Sequence, residues 1–174
     1  MQKLQSQGVH HITLVGAGRQ TSIDFWEGVL GMPFVFEQPN LDKASESHLY
    51  FDPGDGRLIT IFTDESRTPE KRRTPTDPGC VHHIAFAVEN RAAQLEVRKA
   101  LLDTGYHVTP VIDRDYFWAI YFRTPGGVLF EVATNEPGFD RDEDTAHLGQ
   151  ALKLPTQHAH LRSQLESILQ PIVD

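Results

Sequence analysis

An internal repeat is the feature of this sequence that most limits its possible folds. The segment Val9–Ile12 reads Val-His-His-Ile and recurs 72 positions later as Val81–Ile84. The segment Tyr50–Leu58 shares a Tyr-Phe pair, a glycine and a leucine with Tyr121–Leu129, 71 positions later. Because two anchors recur in the same order and at nearly the same spacing, the sequence predicts two copies of one module. The predicted modules cover 1–68 and 69–134, and a carboxy-terminal extension covers 135–174.

Hydrophobic alternation and capping residues predict the same order of elements in both copies. The first copy is expected to contain strand Val9–Val15, helix Thr21–Leu30 and strands Phe34–Glu37, Ser47–Phe51 and Leu58–Thr63. The second is expected to contain strand Val81–Val88, helix Arg91–Asp103 and strands Tyr106–Ile112, Tyr116–Arg123 and Val128–Ala133. Thr21 and Asn90 are the expected N-caps of the two helices. Each module therefore has the order βαβββ.

The carboxy-terminal extension ends in a segment with the apolar spacing of an amphipathic helix. Its apolar side is formed by Leu161, Leu165, Ile168 and Leu169. We interpret the extension as a packing or dimerisation appendage, and a lid over a pocket is the alternative.

Strand parity singles out one histidine of each His-His pair, because successive strand residues point to opposite faces. The bulky face of the second copy's first strand, expected to pack on the helix, consists of His82, Ile84, Phe86 and Val88. The opposite face carries two small alanines, which leave space in front of His83. The first copy repeats this pattern, with His10 on the apolar side and His11 on the open side. His11 and His83 are thus the pair predicted to face a common site.

The last strand supplies a candidate third ligand, Glu131, which lies in the middle of the apolar run Val128–Ala133. An unpaired buried carboxylate would cost several kcal/mol, a cost that a metal ion or a buried cation removes. The equivalent position in the first copy is Thr60, which is a poor metal ligand. Two histidines and one carboxylate are the ligand set of non-haem Fe(II) oxygenases. We therefore predict a metal site formed by His11, His83 and Glu131.

The remaining histidines carry less information. His48 has Ala119 at the equivalent position of the second copy, and we interpret it as a structural residue or a neighbour of the ligands. The others are expected in exposed stretches: His107, His147, His158 and His160.

Composition excludes several classes of partner. The chain of 174 residues has a net charge of −8, and nucleic-acid binding needs an excess of Lys and Arg, so no nucleic-acid partner is expected. A single cysteine, Cys80, gives no intramolecular disulfide. No apolar run approaches the roughly 20 residues that span a bilayer, and no signal peptide is evident. We expect no membrane partner and a cytoplasmic protein.

Paired βαβββ modules with ligands on their first and last strands resemble the vicinal oxygen chelate superfamily, which includes glyoxalase, bleomycin-resistance and extradiol dioxygenase proteins. Several motifs are most similar to its hydroquinone ring-cleaving dioxygenases. They are Gly8–Thr13, Ser47–Phe51, Val81–Phe86 and Asp113–Glu131, with Pro137–Phe139, Asp142–Asp144, Leu148-Gly149 and Leu154-Pro155 in the extension. The resemblance implies an α+β fold in which two paired βαβββ modules form a cupped mixed sheet, followed by a C-terminal helical tail.

The resemblance also implies a function and a site. It implies an extradiol-type, metal-dependent ring-cleaving dioxygenase that acts on an aromatic diol, hydroquinone or catechol, with O2. His11, His83 and Glu131 would hold Fe(II), with Mn(II) or another divalent metal as alternatives. Catalytic roles are implied for Tyr121, Arg114 and His10, and substrate binding for Thr13 and His82. For His10 and His82, this placement differs from the strand parity, which turns both toward the helix. A homodimer is also implied.

Two other functions remain open at this point. One is a non-oxidative, glyoxalase-like lyase, isomerase or thiol transferase, and the other is a drug-binding resistance protein without a metal. Many dioxygenases of the resembling branch are longer, with further modules between the two ends matched here. The site is therefore expected either within one chain or between two chains.

Overall fold

The computed structural model describes residues 8–70, 77–142, 144–147 and 149–169. Glu143 and Leu148, which belong to the motifs of the extension, lie outside the described residues. The first module contains β1 (His11–Val15), α1 (Arg19–Ile23, continued by a π-helical turn, Asp24–Val29), β2 (Phe34–Pro39), β3 (Ser47–Phe51) and β4 (Leu58–Thr63). The second contains β5 (Ile84–Val88), α2 (Arg91–Asp103), β6 (Ile112–Asp113), β7 (Phe117–Arg123) and β8 (Leu129–Pro137). The extension contains two 3₁₀ turns (Thr145–His147 and Thr156–Leu161) and α3 (Arg162–Glu166).

Each module forms a four-stranded mixed sheet, and the two sheets have the same topology. Their strand orders are β1-β4-β3-β2 and β5-β8-β7-β6. The first and last strands of each module pair in parallel, and the other pairs are antiparallel. The two βαβββ modules predicted from the repeat are thus confirmed. No helix in the described part of the chain is both long enough and apolar enough to span a membrane.

The apolar faces of both sheets pack with the helices into one core. The π-helical turn contributes Phe25 and Trp26, both almost fully buried. Phe25 lies 6.2 Å from Phe122 of β7 and Trp26 lies 5.3 Å from Phe130 of β8, measured between ring centroids. These contacts join the first module's helix to the second module's sheet. The opposite faces of β1 and β5 stay outside this core, as the strand parity predicts.

A buried glutamine connects α2 to the second sheet. The helix begins after Asn90, whose side chain accepts a hydrogen bond from the Ala93 backbone N–H at 3.0 Å, as predicted. One turn later, the fully buried Gln94 donates from Nε2 to the carbonyls of Trp118 (2.7 Å) and Val132 (2.8 Å). The Trp118 carbonyl lies at an irregularity in the β7–β8 pairing. Gln94 therefore satisfies a backbone group that this irregularity removes from the ladder.

A close approach between the modules requires a glycine. A Cβ atom on Gly126, in the turn between β7 and β8, would lie 2.2 Å from the carbonyl oxygen of Val15 at the end of β1. No side chain fits at that distance. Gly126 therefore allows the turn of the second module to rest directly on the first strand of the first module.

Several predicted elements differ from the structure, among them β1 and β5, which begin at His11 and Ile84 and so later than predicted. Helix α1 begins at Arg19 after Gly18, without a side-chain cap, so Thr21 is inside the helix and not its N-cap. In place of the predicted strand Tyr106–Ile112, the structure has the two-residue β6 and an isolated bridge between Val108 and Phe122. This segment thus pairs with β7 at separate points and not as a continuous ladder.

The extension differs most. Of its predicted amphipathic helix, only the five residues of α3 are α-helical. Strand β8 continues into the extension as far as Pro137. Ile168 and Leu169 are 68% and 48% exposed, so this part of the apolar side is largely uncovered in the described part of the chain. Apolar periodicity alone does not stabilise a helix whose apolar side is not covered by tertiary contacts.

Candidate metal centre

A histidine and a buried carboxylate from different strands form the centre of the site. His83 directly precedes β5 and Glu131 is the third residue of β8. The parallel register pairs Ala85 with Glu131, which places His83 at the same end of the sheet. The distance from His83 Nε2 to Glu131 Oε2 is 3.0 Å, and the glutamate side chain is 4% exposed. Two of the three predicted ligands thus come together.

The geometry of this pair fits one divalent metal ion. Nitrogen and oxygen ligands bind such ions at about 2.0–2.2 Å, so two adjacent ligands at a right angle lie about 3 Å apart. The observed separation of 3.0 Å matches that value. An imidazole and a carboxylate are also the donor types that iron and manganese accept. The His83–Glu131 pair can therefore hold two positions of a metal's coordination sphere.

A tyrosine and an arginine extend the centre along β7. Tyr121 is the register partner of Glu131, and its ring centroid lies 6.0 Å from that of His83. An Arg114 N–H donates to the Tyr121 hydroxyl oxygen at 3.2 Å, and the guanidinium carbon lies 5.5 Å from the tyrosine ring centroid. Burial raises the pKa of Tyr121, and the Glu131 charge raises it further, against the opposing effect of the Arg114 hydrogen bond. The phenol is therefore protonated at neutral pH and accepts a hydrogen bond from a fixed cation.

His11 lies apart from the pair. Among the residues that the structure describes, no three His, Cys, Asp or Glu side chains lie close enough to bind one metal ion. His11 lies exposed at the start of β1, where it lines a cleft of about 270 Å³ together with Ile84, Ala85 and Phe86 of β5. The cleft lies between β1, which carries His11, and β5, whose Ala85 is the register partner of Glu131. His11 is therefore across the cleft from the His83–Glu131 pair.

His10 and His82 do not pack toward the helices, so this prediction from strand parity is wrong. Both residues are exposed, and both precede the strands, which begin at His11 and Ile84. The alternation of strand side chains does not extend to residues outside the strand. In each His-His pair the Nδ1 atoms lie close together, 2.9 Å apart for His10 and His11 and 2.8 Å apart for His82 and His83.

A larger cavity adjoins Tyr121. It has a volume of about 840 Å³, and His82, His107, Thr109 and Leu129 are among its lining residues. Tyr121, the register partner of Glu131, also lines this cavity. The volume is in the usual range for a small-molecule site. Of the residues predicted to bind substrate, His82 thus lies at the cavity.

Thr13 lies on the first sheet and not at this cavity. Thr60 Oγ1 donates to Thr13 Oγ1 at 2.8 Å across the parallel β1–β4 pair. Thr60 occupies the position equivalent to Glu131 and is fully buried. Where the second module has the Glu131 carboxylate, the first module has Thr60, whose hydroxyl hydrogen-bonds to Thr13 on the neighbouring strand.

His48, which the sequence indicates is a structural residue or a neighbour of the ligands, lies near His11. Its Nε2 is buried and has no hydrogen-bond partner among the described residues, while Nδ1 lies 3.0 Å from the Tyr50 hydroxyl. Burial lowers the pKa of His48, and the charge of nearby His11 lowers it further. The sequence could have indicated the contact between His48 and Tyr50, because the two residues are two positions apart on β3 and so share a face of the strand. A neutral imidazole thus lies near His11.

The fold and the His83–Glu131 pair define a domain of two paired βαβββ modules with a candidate metal centre on the second sheet. The chain belongs to the glyoxalase/bleomycin resistance protein/dioxygenase superfamily, whose family model matches residues 8–132.

Two curated relatives are similar along most of this chain. MhqO of Bacillus subtilis strain 168, which carries the provisional name of ring-cleaving dioxygenase, is 37% identical over 166 residues (95% of this chain and 50% of MhqO). Chlorohydroquinone/hydroquinone 1,2-dioxygenase of Sphingobium indicum is 32% identical over 136 residues (76% of this chain and 41% of the relative). The chain thus spans about half the length of the curated relatives it matches.

A solved structure confirms the fold. A glyoxylase/bleomycin resistance protein/dioxygenase domain from Frankia sp. EAN1pec superposes with a TM-score of 0.66 at 18% identity. The match covers 80% of this chain and 100% of the Frankia chain.

Proposed function

We propose that this chain forms the site of a ring-cleaving dioxygenase that opens an aromatic diol, a hydroquinone or a catechol, with O2. The observation that carries the proposal is the buried Glu131 carboxylate 3.0 Å from His83 Nε2, beside the Tyr121–Arg114 pair. A buried carboxylate is costly unless positive charge lies close to it, and a divalent cation bound between Glu131 and His83 supplies that charge. The names of the two curated relatives support the same reaction class.

The metal that we propose is Fe(II), with Mn(II) as the alternative. His83 and Glu131 would hold it, and His11 would complete the ligand set by crossing the cleft between β1 and β5, or from a second chain. A bound ion of this kind would supply open coordination positions for the diol and O2 and redox activity between them.

The residues of this chain have separate tasks in the proposed reaction. The cavity beside Tyr121 holds the aromatic ring, and His82 lines it. Tyr121 carries a proton at neutral pH and can donate it to an oxygen of the substrate as the ring opens. Arg114 stabilises negative charge that develops on that oxygen, because its guanidinium is already fixed against the phenol. We assign His10, next to His11, to proton transfer; Thr13, which lies away from this cavity, would contact only a part of the substrate that reaches the first sheet.

Oxygen consumption tests the proposal. The protein is reconstituted anaerobically with Fe(II), and oxygen uptake is measured with a panel of hydroquinones and catechols. We expect uptake that requires both iron and a diol, that His83→Ala abolishes and that His158→Ala, at an exposed site in the extension, leaves unchanged. Bound metal without oxygen uptake on any diol would contradict the proposal and favour a non-oxidative, glyoxalase-like reaction.

One observation favours a second candidate, a drug-binding module without a metal. The described residues bring only two of the three proposed ligands together. Equilibrium dialysis of the protein against Fe(II) and Mn(II) separates the candidates. Failure to bind either ion, in a protein that still binds small aromatic molecules, would establish the metal-free module.

We also propose a homodimer in the cytoplasm. The exposed Ile168 and Leu169 of the extension provide apolar surface that a second copy can cover. Sedimentation equilibrium tests the assembly, and a monomer at micromolar concentration would contradict it. Fractionation of cells that express the chain tests the location.

A further inference from the structure

Arg114 lies in a tight turn whose backbone conformation is unusual. The turn joins β6 to β7, and the Arg114 backbone N–H donates to the carbonyl of Phe117 at 2.9 Å. The next residue, Asp115, has a φ of +72°, and no other non-glycine residue in the described ranges has a positive φ. Aspartate tolerates this region better than most residues with a Cβ atom, and the Asp115 N–H donates to the Asp113 carboxylate at 2.8 Å, so further contacts add to a conformation that the turn itself supports.

The carboxy-terminal extension provides contacts to this turn. Arg141 donates from its guanidinium to the Asp115 carbonyl at 2.7 Å. Thr156 donates from Oγ1 to the Asp115 carboxylate at 3.1 Å, and Gln157 donates from Nε2 to the Asp113 carbonyl at 3.2 Å. Arg141 and Thr156, from two separate parts of the extension, therefore both hold Asp115, and Gln157 holds the end of β6 beside it.

A second set of contacts holds the neighbouring Tyr116. Its ring, in a residue that is 7% exposed, stacks on Phe139 with centroids 5.6 Å apart. Its hydroxyl donates to Asp142 at 3.2 Å, and Lys153 forms an ion pair with the same carboxylate. The Gly138 N–H donates to the Tyr116 carbonyl at 2.8 Å. We call residues 138–142 and 149–157, with these contacts, the tail clamp.

We infer that the tail clamp is part of the site, because it fixes the turn from which Arg114 reaches Tyr121, and that Arg141 and Thr156 are positioning residues for substrate binding. Both residues bond to Asp115, and in the described part of the chain neither bonds to Tyr121, His83 or Glu131, so both act through Asp115 on Arg114. This gives the extension a role other than a packing appendage, a dimer contact or a lid. The role in substrate binding rests on the proposed function, whereas the structural role of the clamp does not.

Loss of the clamp is expected to affect substrate more than metal. With the contacts to Asp115 removed, the turn can leave its positive-φ conformation, and Arg114 then loses its hydrogen bond to Tyr121. The His83–Glu131 pair depends on the pairing of β5 with β8, which the clamp residues Arg141 and Thr156 do not contact. Metal content should therefore stay constant while the apparent KM for the diol rises.

The test uses the full chain with two substitutions, Arg141→Ala and Thr156→Ala. Arg162→Ala is the matched control, since its guanidinium bonds only within the extension, to Leu152 and Glu166. The pair Arg141→Lys and Thr156→Ser keeps a donor at each position and serves as the rescue. Hydrogen–deuterium exchange of the peptide covering 112–118, bound Fe(II) and the KM for hydroquinone are measured for all four proteins.

We expect the Ala double variant to exchange the amides of this peptide at least tenfold faster and to raise KM about tenfold, at unchanged iron content. The rescue pair and the control should resemble the original protein. Unchanged exchange in the Ala double variant would overturn the clamp. Faster exchange with an unchanged KM would overturn its role in substrate binding. If the original protein consumes no oxygen with any diol, the proposed function fails, and the exchange rates still decide whether the extension holds the turn.

Discussion

The Nε2 atom of His83 and the Oε2 atom of Glu131 lie 3.0 Å apart, although the two residues are 48 positions apart in the chain. The contact depends on the parallel pairing of β5 with β8, since neither residue is close to the other in sequence. Because β5 and β8 are the first and last strands of one module, a single module suffices to bring an imidazole and a carboxylate together. The first module repeats the geometry with His11 and Thr60, without the carboxylate.

Replacing Glu131 with Gln should remove the metal and keep the fold. The amide is close in shape to the carboxylate but has no charge to stabilise a divalent cation. We expect bound iron, measured by a ferrozine assay after gel filtration, to fall at least tenfold with an unchanged circular dichroism spectrum. Glu136→Gln, at an exposed position on the same strand, is the control and should bind iron normally. Full iron content in Glu131→Gln would contradict the assignment.

Replacing Tyr121 with Phe should slow turnover about 100-fold, a typical contribution of one acid–base group. The substitution removes the proton donor and the acceptor of the Arg114 hydrogen bond while keeping the ring. Steady-state oxygen uptake under saturating diol gives kcat. Tyr50→Phe, at the equivalent position of the first module, where the strand partner is Thr60, is the comparison and should keep kcat within about twofold. Equal losses in the two variants would show that Tyr121 has no specific role.

Replacing Gln94 with Leu should destabilise the fold by about 2–3 kcal/mol, because two buried carbonyls would lose their donor. The free energy of unfolding is obtained from urea denaturation followed by circular dichroism. Gln164→Leu, at an exposed position in α3, should change it by less than about 0.5 kcal/mol. A similar stability for the two variants would mean that water satisfies both carbonyls.

Replacing Gly126 with Ala should cost about 1–3 kcal/mol, because the added Cβ would overlap the Val15 carbonyl and separate the modules. Gly28→Ala is the matched control, since no atom outside its own helix lies within 4 Å of a Cβ at that position. Alanine is favoured over glycine inside a helix by up to about 1 kcal/mol, so the control should be neutral or slightly stabilising. The Tm of both variants is measured by thermal unfolding. An unchanged Tm for Gly126→Ala would contradict the close approach of the turn to β1.

Acid should reveal a contribution from Asp64. Hydrogen bonds from the Ser66 side chain and backbone, followed by a smaller effect of Ser45, lower the pKa of Asp64 to about 2. Since the pKa is lower in the folded state, this carboxylate stabilises the fold above about pH 4, its range in an unfolded chain. The stabilisation should disappear as the pH falls from about 4 to about 2. The difference in unfolding free energy between the original protein and Asp64→Asn should therefore shrink over this range, and a constant difference would contradict the assigned pKa.

The repeat and the strand parity predicted much of the fold. Two modules of order βαβββ follow from the sequence because both copies carry the same hydrophobic alternation in the same order, and the bounds of β3, β4 and α2 agree with the structure. The parity of Ile84, Phe86 and Val88 predicted which face enters the core. Parity failed for His10 and His82, since a face is defined only within a strand, and their strands begin later.

The sequence by itself determined which residues are available: a histidine at the start of each module, a carboxylate in an apolar strand, and a tyrosine two strands away from His83. These follow from local rules, because side-chain alternation and burial costs act within one strand. Only the tertiary structure decided which of them meet. Strand register brought Glu131 to His83 and Tyr121, the cleft between β1 and β5 separated His11 from them, and contacts from the extension set the turn of Arg114. Such long-range distances depend on the packing of both modules and the extension together, which no local pattern encodes.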